Sequence, residues 1–222
     1  MNLTLFDLDG TLIPSDSDHA FGAFMVDIGW ANGEQWRERN DEFYAQYQDG
    51  RLDLAEYIEF ATSVWRSRPL QEAQAARERF MVEVMAPMLQ PQARALVRRH
   101  ADAGDLIAIV TATNEFVTAP IAAAFGVEHL IAVQLQRGAD GAYTGAIEGV
   151  PSYQAGKIER VQSWLLSLGR QWQDFERITF YSDSVNDLPL LDLVSHPVAT
   201  NPTPALADIA TARAWPILNL FA

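Results

Sequence analysis

Residues 6–12 read FDLDGTL and complete an apolar run that begins at residue 3, a pattern typical of a buried strand and the turn after it. The segment places Asp7 and Asp9 two positions apart, and side chains at this spacing point to the same side of a strand. Gly10 lets the chain turn after them, since glycine adopts backbone angles that other residues resist. Two neighbouring carboxylates repel each other, so the pair predicts a shared proton or a cation, for which Mg²⁺ is the natural choice.

The composition limits the classes of partner. The chain has 222 residues, 49% of them apolar, which suffices for one large domain or for a core with a smaller lobe. Its net charge of −13 repels phosphate backbones, so we expect no nucleic-acid partner. The absence of cysteine excludes disulfides and thiol chemistry and fits a reducing, cytoplasmic location. No window approaches 18 apolar residues and no signal peptide is recognisable, so we expect no membrane span.

Residues 16–87 differ in kind from the rest of the chain. Apolar side chains recur there at helical spacing between glycine and proline breaks. The helices predicted in this stretch are 17–29, 34–48, 53–66 with Asp53 as its N-terminal cap, and 70–86. Elsewhere the predicted strands are 3–8, 106–111, 130–136, 142–148, 178–182, 196–199 and 214–217, and the predicted helices are 92–103, 115–125, 154–168, 185–194 and 204–210. Among these strands, 130–136 and 142–148 flank a glycine-rich turn and predict a hairpin.

Strands that alternate with helices predict an α/β fold, a doubly wound parallel sheet covered on both faces. Ligands of such sheets bind at the carboxyl ends of the strands. Because Asp7, Thr111 and Asp183 each lie at the end of a predicted strand, we expect them to converge at one edge. The helical stretch inserted after the first strand would lie over that edge. The predicted domains are a core of residues 1–15 and 88–222 and a helical cap of residues 16–87.

FDLDGTL resembles the first motif of the haloacid dehalogenase superfamily, Asp-x-Asp-x-Thr. Further similarities follow in the family's order: the apolar run 106–110 before Thr111, then Lys157, then YSDSVND at 181–187. Each segment alone is compatible with an ordinary turn, polar loop or solvated lysine, but the four together span nearly the whole chain. The chain is therefore identified as a member of this superfamily, of subfamily IB, which resembles phosphoserine phosphatases and bacterial histidinol-phosphate phosphatases. The resemblance implies a Rossmann-like core with an inserted α-helical cap of the C1 type.

The resemblance also implies a reaction, the magnesium-dependent hydrolysis of a small-molecule phosphate monoester through an aspartyl-phosphate. Asp7 is then the nucleophile, and Asp9 is the general acid and base, unless Asp9 merely caps a turn. The implied Mg²⁺ ligands are Asp7, Asp9 through its backbone carbonyl and Asp183; the implied phosphate ligands are Thr111, Ala112 and Lys157; and the implied supporting residues are Asn186 and Asp187.

The helical stretch departs from the pattern of phosphoserine phosphatases. These enzymes carry a glutamate nine residues after the nucleophile and an arginine in the cap, where this chain has Asp16 and Ala61. The departure disfavours phosphoserine as the substrate. Asp16, Asp18 and His19 instead suit an amine-bearing substrate such as histidinol phosphate. The alternatives are that either acid caps the following helix and that His19 is an exposed side chain.

Other functions stay open at this level. A phosphoserine phosphatase or a phosphotransferase would use the same aspartyl-phosphate, and an inactive protein of this fold could bind phosphate or a partner. A dehalogenase is disfavoured because such enzymes lack the second acid of the first motif, and Asp9 is present. Both a monomer and a homodimer are compatible with the sequence.

Overall fold

The computed structural model describes residues 1–221. Its strands are β1 (Asn2–Phe6), β2 (Leu106–Asn114), β3 (His129–Val133), β4 (Leu135–Arg137), β5 (Tyr143–Ile147), β6 (Arg177–Ser182), β7 (His196–Thr200) and β8 (Ile217–Leu218). Its α-helices are α1 (Ser17–Asp27), α2 (Gly33–Gln48), α3 (Leu54–Arg66), α4 (Leu70–Phe80), α5 (Pro91–Asp102), α6 (Glu115–Phe125), α7 (Gly156–Ser167), α8 (Leu188–Leu193) and α9 (Pro204–Ala212). Within residues 1–221, no helix combines the length and the apolar character that crossing a bilayer requires.

Six parallel strands form the main sheet in the order β3-β2-β1-β6-β7-β8. Alternate side chains of β1 enter different apolar clusters: Leu3 and Leu5 pack with residues of α7, α8 and α9, and Phe6 packs with residues of α5 and α6. A parallel sheet needs such cover, because its strands are apolar on both faces. The predicted α/β fold with a doubly wound parallel sheet is confirmed.

The helical stretch between β1 and α5 packs against the sheet domain through aromatic side chains. Trp65 of α3 stacks on Phe116 of α6 with ring centroids 4.0 Å apart, and the ring of Phe21 of α1 lies 6.2 Å from the same Phe116. One buried apolar cluster therefore runs from the sheet into these helices. The predicted cap at Asp53 is present, since its side chain accepts hydrogen bonds from the first turn of α3. The division into two domains stays a prediction.

Several predicted elements differ from the structure. The strand predicted over 214–217 lies at Ile217–Leu218, and the helix predicted over 185–194 begins with a 3₁₀ turn, Val185–Asp187. The helix predicted over 70–86 is α-helical only to Phe80 and continues as a π-helical turn, Met81–Met85, and a 3₁₀ turn, Ala86–Met88. Pro87 explains the change, because proline has no N–H to donate and its ring collides with the carbonyl four residues earlier. The predicted hairpin is correct only for β4 and β5, since β3 pairs with β2 in the main sheet instead. Its continuous apolar run suits a buried parallel strand.

Candidate active site

The carboxyl ends of β1, β2 and β6 bring the motif residues to one edge of the sheet. Asp7 follows β1 directly, and its backbone N–H donates to Tyr181 of β6. Thr111 lies near the end of β2, and Asp183 follows β6. Gly10, with a φ of +73°, lets the backbone approach Asp183, because a Cβ there would lie 2.3 Å from a carboxylate oxygen of that residue. The residues expected to converge therefore do lie together.

Lys157 links this edge to α7. It is only 1% exposed, and its Nζ lies 2.8 Å from Asp7 Oδ1 and 2.8 Å from Asp187 Oδ2. Burial alone would lower the pKa of this lysine, but Asp187 and Asp7 outweigh burial and raise it. Ser182 Oγ also donates to Asp187, at 2.7 Å. Lys157 is thus a buried cation that holds two carboxylates, and the alternative of a solvated surface lysine is wrong.

The carboxylates at this edge outnumber the cation. Burial raises the pKa of Asp7 to about 7 despite the attraction of Lys157. Burial and repulsion from Asp7 and Asp187 raise the pKa of Asp183 well above its usual range. Thr11 Oγ1 lies 3.4 Å from an oxygen of Asp7 and 3.4 Å from one of Asp183, so both carboxylates face the same space. We call Asp7, Lys157, Asp183 and Asp187 the lysine cluster.

The lysine cluster fits a hard divalent cation. Its free donors are carboxylate oxygens, which Mg²⁺ prefers, and the raised pKa values mark a site short of positive charge. Among residues 1–221, no three His, Cys, Asp or Glu side chains converge as a ligand set. Side-chain ligation would therefore come from Asp7 and Asp183, and the expected third ligand, the Asp9 carbonyl, belongs to the backbone.

Asp9 is held apart from the lysine cluster by neutral donors. Its Oδ1 accepts from the backbone N–H of Ser17 at 2.7 Å, and its Oδ2 accepts from Thr113 Oγ1 at 2.8 Å. Burial, followed by the charge of Asp16, raises its pKa to about 7. A carboxyl group with this pKa gives and takes a proton readily near neutral pH.

Thr111 and Ala112 lie in the C-terminal half of β2, beside Asp9. Thr111 is buried, and its Oγ1 lies 3.5 Å from Asp9 Oδ2 and accepts from the backbone N–H of Thr113. Asn186 points elsewhere: its amide donates to the backbone carbonyl of Tyr47 at 2.9 Å. Asn186 therefore ties the core to α2.

A small cavity of about 30 Å³ lies between Asp9 and the helical stretch; we call it the acidic cavity. Its carboxylates are Asp9, Asp16 and Asp18, and no lysine or arginine of residues 1–221 lines it. Its other lining residues are His19, Asn40, Phe43, Tyr44, Tyr47, Leu52, Leu54, Tyr57, Ala112 and Thr113. The cavity therefore connects the edge of the sheet where Asp9 lies to a pocket lined by aromatic side chains and carboxylates.

The three candidate substrate residues line this cavity in different ways. Asp16 caps α1, because its Oδ1 accepts from the backbone N–H of His19 at 2.8 Å, and burial raises its pKa to about 6. His19 is partly exposed, and its Nε2 lies 2.6 Å from Asp41 Oδ1. Asp18 is buried, and both of its oxygens accept from the amide of Asn114. The expected cap role of Asp16 is thus present alongside its place in the cavity.

Sequence reasoning missed several residues around the site. Asn114 and Tyr57 hydrogen-bond Asp18, and the Asn201 amide donates to the carbonyls of Gly10 and Thr11. Ser17 and Ser182, which donate to Asp9 and Asp187, were missed as well. Sequence reasoning also missed a signal for Lys157, which is the only lysine among the 222 residues. In a chain whose other long cations are all arginine, one lysine beside a glycine at a helix start stands out.

Comparisons with known proteins show the family of the chain. The family model for haloacid dehalogenase-like hydrolases matches residues 4–192. The chain belongs to the haloacid dehalogenase-like hydrolase family. It is 41% identical over 218 residues to a histidinol-phosphatase from Neisseria meningitidis serogroup C, with 98% of each chain covered.

Solved structures share the fold. A crystal structure of a protein with unknown function from Bordetella pertussis Tohama I matches with a TM-score of 0.93 and 48% identity, over 99% of each chain. A substrate-bound phosphoserine phosphatase matches with a TM-score of 0.69 and 17% identity, over 98% of this chain and 92% of that one. The protein is a phosphatase of this family, so the alternative of an inactive binding protein is set aside.

Proposed function

We propose that this phosphatase is magnesium-dependent and hydrolyses histidinol phosphate through an aspartyl-phosphate on Asp7. The observation that carries the substrate assignment is the acidic cavity beside Asp9, which offers carboxylates and aromatic rings and no lysine or arginine of residues 1–221. The relative named histidinol-phosphatase, similar over nearly its whole length, supports the same assignment.

Asp7 is the proposed nucleophile. Lys157 binds Asp7 Oδ1, which favours the ionised form of the carboxylate against the effect of burial and leaves Oδ2 to attack the phosphorus. The new bond joins Oδ2 to phosphorus as the bond to the leaving oxygen breaks. Thr111, the Ala112 backbone N–H and Lys157 would bind the phosphoryl oxygens whose charge has to be balanced in the transition state.

Asp9 is the proposed general acid and base. In its protonated form it gives its proton to the leaving alkoxide, which departs as histidinol. In its ionised form it then removes a proton from the water that attacks the aspartyl-phosphate, and Asp7 is released. The two neutral donors, the Ser17 N–H and the Thr113 hydroxyl, fix the carboxyl group for both steps.

Mg²⁺ would be held by Asp7, Asp183 and the backbone carbonyl of Asp9. When bound, the ion neutralises charge on the phosphoryl oxygens. Asp187 has a different role, because Lys157 and Ser182 already occupy its oxygens. It holds Lys157 in place opposite Asp7.

The acidic cavity would receive the leaving group. Histidinol phosphate brings an ammonium and an imidazole, whereas phosphoserine brings a carboxylate that would face Asp16 and Asp18. The two arginines that follow Ala61 in the chain are engaged elsewhere: Arg66 bonds to Glu59 and to a backbone carbonyl of β5, and Arg68 packs over the ring of Trp30. A phosphoserine carboxylate would therefore meet no lysine or arginine of residues 1–221 in this cavity.

The direct test is phosphate release from histidinol phosphate by the purified protein with Mg²⁺. We expect turnover that EDTA abolishes and added Mg²⁺ restores, with equal amounts of histidinol and phosphate. Full activity after exhaustive chelation would contradict the metal site. Phosphate that appears on an added alcohol in place of free phosphate would identify a phosphotransferase.

A further inference from the structure

Asp18 differs from the other acids of the acidic cavity in how it is held. It lies in the first turn of α1, is 5% exposed and lines the cavity. The Asn114 amide nitrogen lies 3.1 and 3.2 Å from its two oxygens, and the Tyr57 hydroxyl also donates to it. Both donors are neutral. They orient the carboxylate but supply no opposite charge.

The charge of Asp18 thus lacks a balancing cation within residues 1–221. Its side chain forms no ion pair there, and the negative charge of Asp9 raises its pKa further. A buried carboxylate without a cation is costly, so proteins rarely keep one that is also rigidly oriented. The unbalanced charge faces the cavity that adjoins the acid and base, and a cationic substrate group would balance it.

Asp16 and His19 are less suited to this role. Asp16 is less buried than Asp18, and one of its oxygens accepts from the backbone N–H of His19, which makes it the cap of α1. The His19 ring contacts Asp41 at the protein surface. Asp18 alone of the three is buried, is held by a side chain through both of its oxygens, and lines the cavity.

We infer that Asp18 is the residue that binds the substrate ammonium, and that Asn114 and Tyr57 position it. The inference rests on the proposed function of the site and assigns its selectivity to one side chain. Phe43 and Tyr44 line the same cavity and add aromatic faces, which attract cations and stack on an imidazole.

The segment at the end of β2 connects this subsite to the chemistry. Thr113 holds the carboxyl group of Asp9, and the next residue, Asn114, holds that of Asp18. Asn114 also caps α6 through Val117, so its own position is fixed. Thr113 and Asn114 thereby set the distance between the leaving oxygen of the substrate and its ammonium. The subsite selects monoesters whose amine lies at that short distance from the phosphate.

The test compares histidinol phosphate with its analogue that lacks the amine, 3-(imidazol-4-yl)propyl phosphate. Both are measured as competitors of p-nitrophenyl phosphate hydrolysis, so the readout does not require either to be turned over. In the parent, we expect the inhibition constant of the amine-bearing compound to be lower by about 30-fold or more. In Asp18→Asn, the ratio of the two constants should fall to within about threefold.

Asp27→Asn is the matched control, because Asp27 lies on the same helix with its side chain exposed; its ratio should equal that of the parent. The inference is overturned if Asp18→Asn keeps the parent ratio or if Asp16→Asn alone removes it. Should Asp18→Asn not fold, Tyr57→Phe has to lower the ratio several-fold, and an unchanged ratio overturns the inference. Failure of the proposed function would appear separately, as no release of histidinol by the parent enzyme.

Discussion

The lysine cluster and the acidic cavity lie side by side and both contain several carboxylates. They differ in how the negative charge of these carboxylates is balanced. In the lysine cluster, Lys157 binds two of the acids at 2.8 Å. In the acidic cavity, Asp16 and Asp18 receive hydrogen bonds only from neutral groups. One region carries its own lysine, and the other is lined by no lysine or arginine of residues 1–221.

The difference follows from what each region would receive. A phosphoryl group is anionic, so the protein has to supply positive charge there, through lysine and a metal ion. The leaving group of the proposed substrate is cationic, so the protein supplies negative charge and leaves it unpaired. Substitutions in either region test this difference.

The largest effect is expected at the nucleophile. Asp7→Asn should lower kcat by about 10⁴-fold or more, because an amide neither attacks phosphorus nor ligates Mg²⁺ well. Turnover of p-nitrophenyl phosphate measures it, and an unchanged thermal transition shows that the fold is kept. Activity within tenfold of the parent would remove Asp7 from this role.

Replacement of the cation should affect activity and stability together. Lys157→Met keeps the apolar stem but leaves Asp7 and Asp187 buried without a partner, which should lower the free energy of unfolding by about 3–5 kcal/mol. Urea unfolding measures the change. Arg177→Met, at an exposed cation on β6, is the control and should stay within about 0.5 kcal/mol. Equal losses in the two variants would contradict a special role for Lys157.

In the acidic cavity, removal of a charged group should raise the free energy of unfolding instead of lowering it. Burial raises the pKa of Asp18 from 3.8 to about 7, so the folded state binds this proton more tightly than the unfolded state does. The group therefore costs stability as the pH rises from about 4 to about 7. Asp18→Asn should raise the free energy of unfolding at pH 8 by about 1–2 kcal/mol, with no gain near pH 4. Thermal unfolding at the two pH values measures this, and destabilisation at pH 8 would show that Asp18 is a structural residue.

The smallest effect is expected at the rim of the cavity. The contact between His19 and Asp41 is partly exposed, and exposed polar contacts of this kind contribute little. Asp41→Asn should change kcat/KM for histidinol phosphate by less than about twofold. A change above about fivefold would include this pair in the substrate subsite.

The sequence predicted the parts of this enzyme that depend on strand ends. Asp7, Thr111 and Asp183 were placed correctly at one edge because parallel strands carry their carboxyl ends there. Asn114 and Tyr57 could not be found in this way, since they reach Asp18 from separate elements and their packing depends on the tertiary structure. The hairpin was assigned wrongly at β3 because apolar runs alone do not distinguish a parallel strand from an antiparallel one.

The most direct test of the account is the ratio of kcat/KM for histidinol phosphate to that for phosphoserine, measured with Mg²⁺ on the parent enzyme. Both substrates carry an ammonium, but only phosphoserine brings a carboxylate into a cavity that repels it. We predict a ratio of about 100 or more, since an unpaired buried charge costs several kcal/mol. A ratio of one or below would contradict the claim that the acidic cavity selects its substrate by charge.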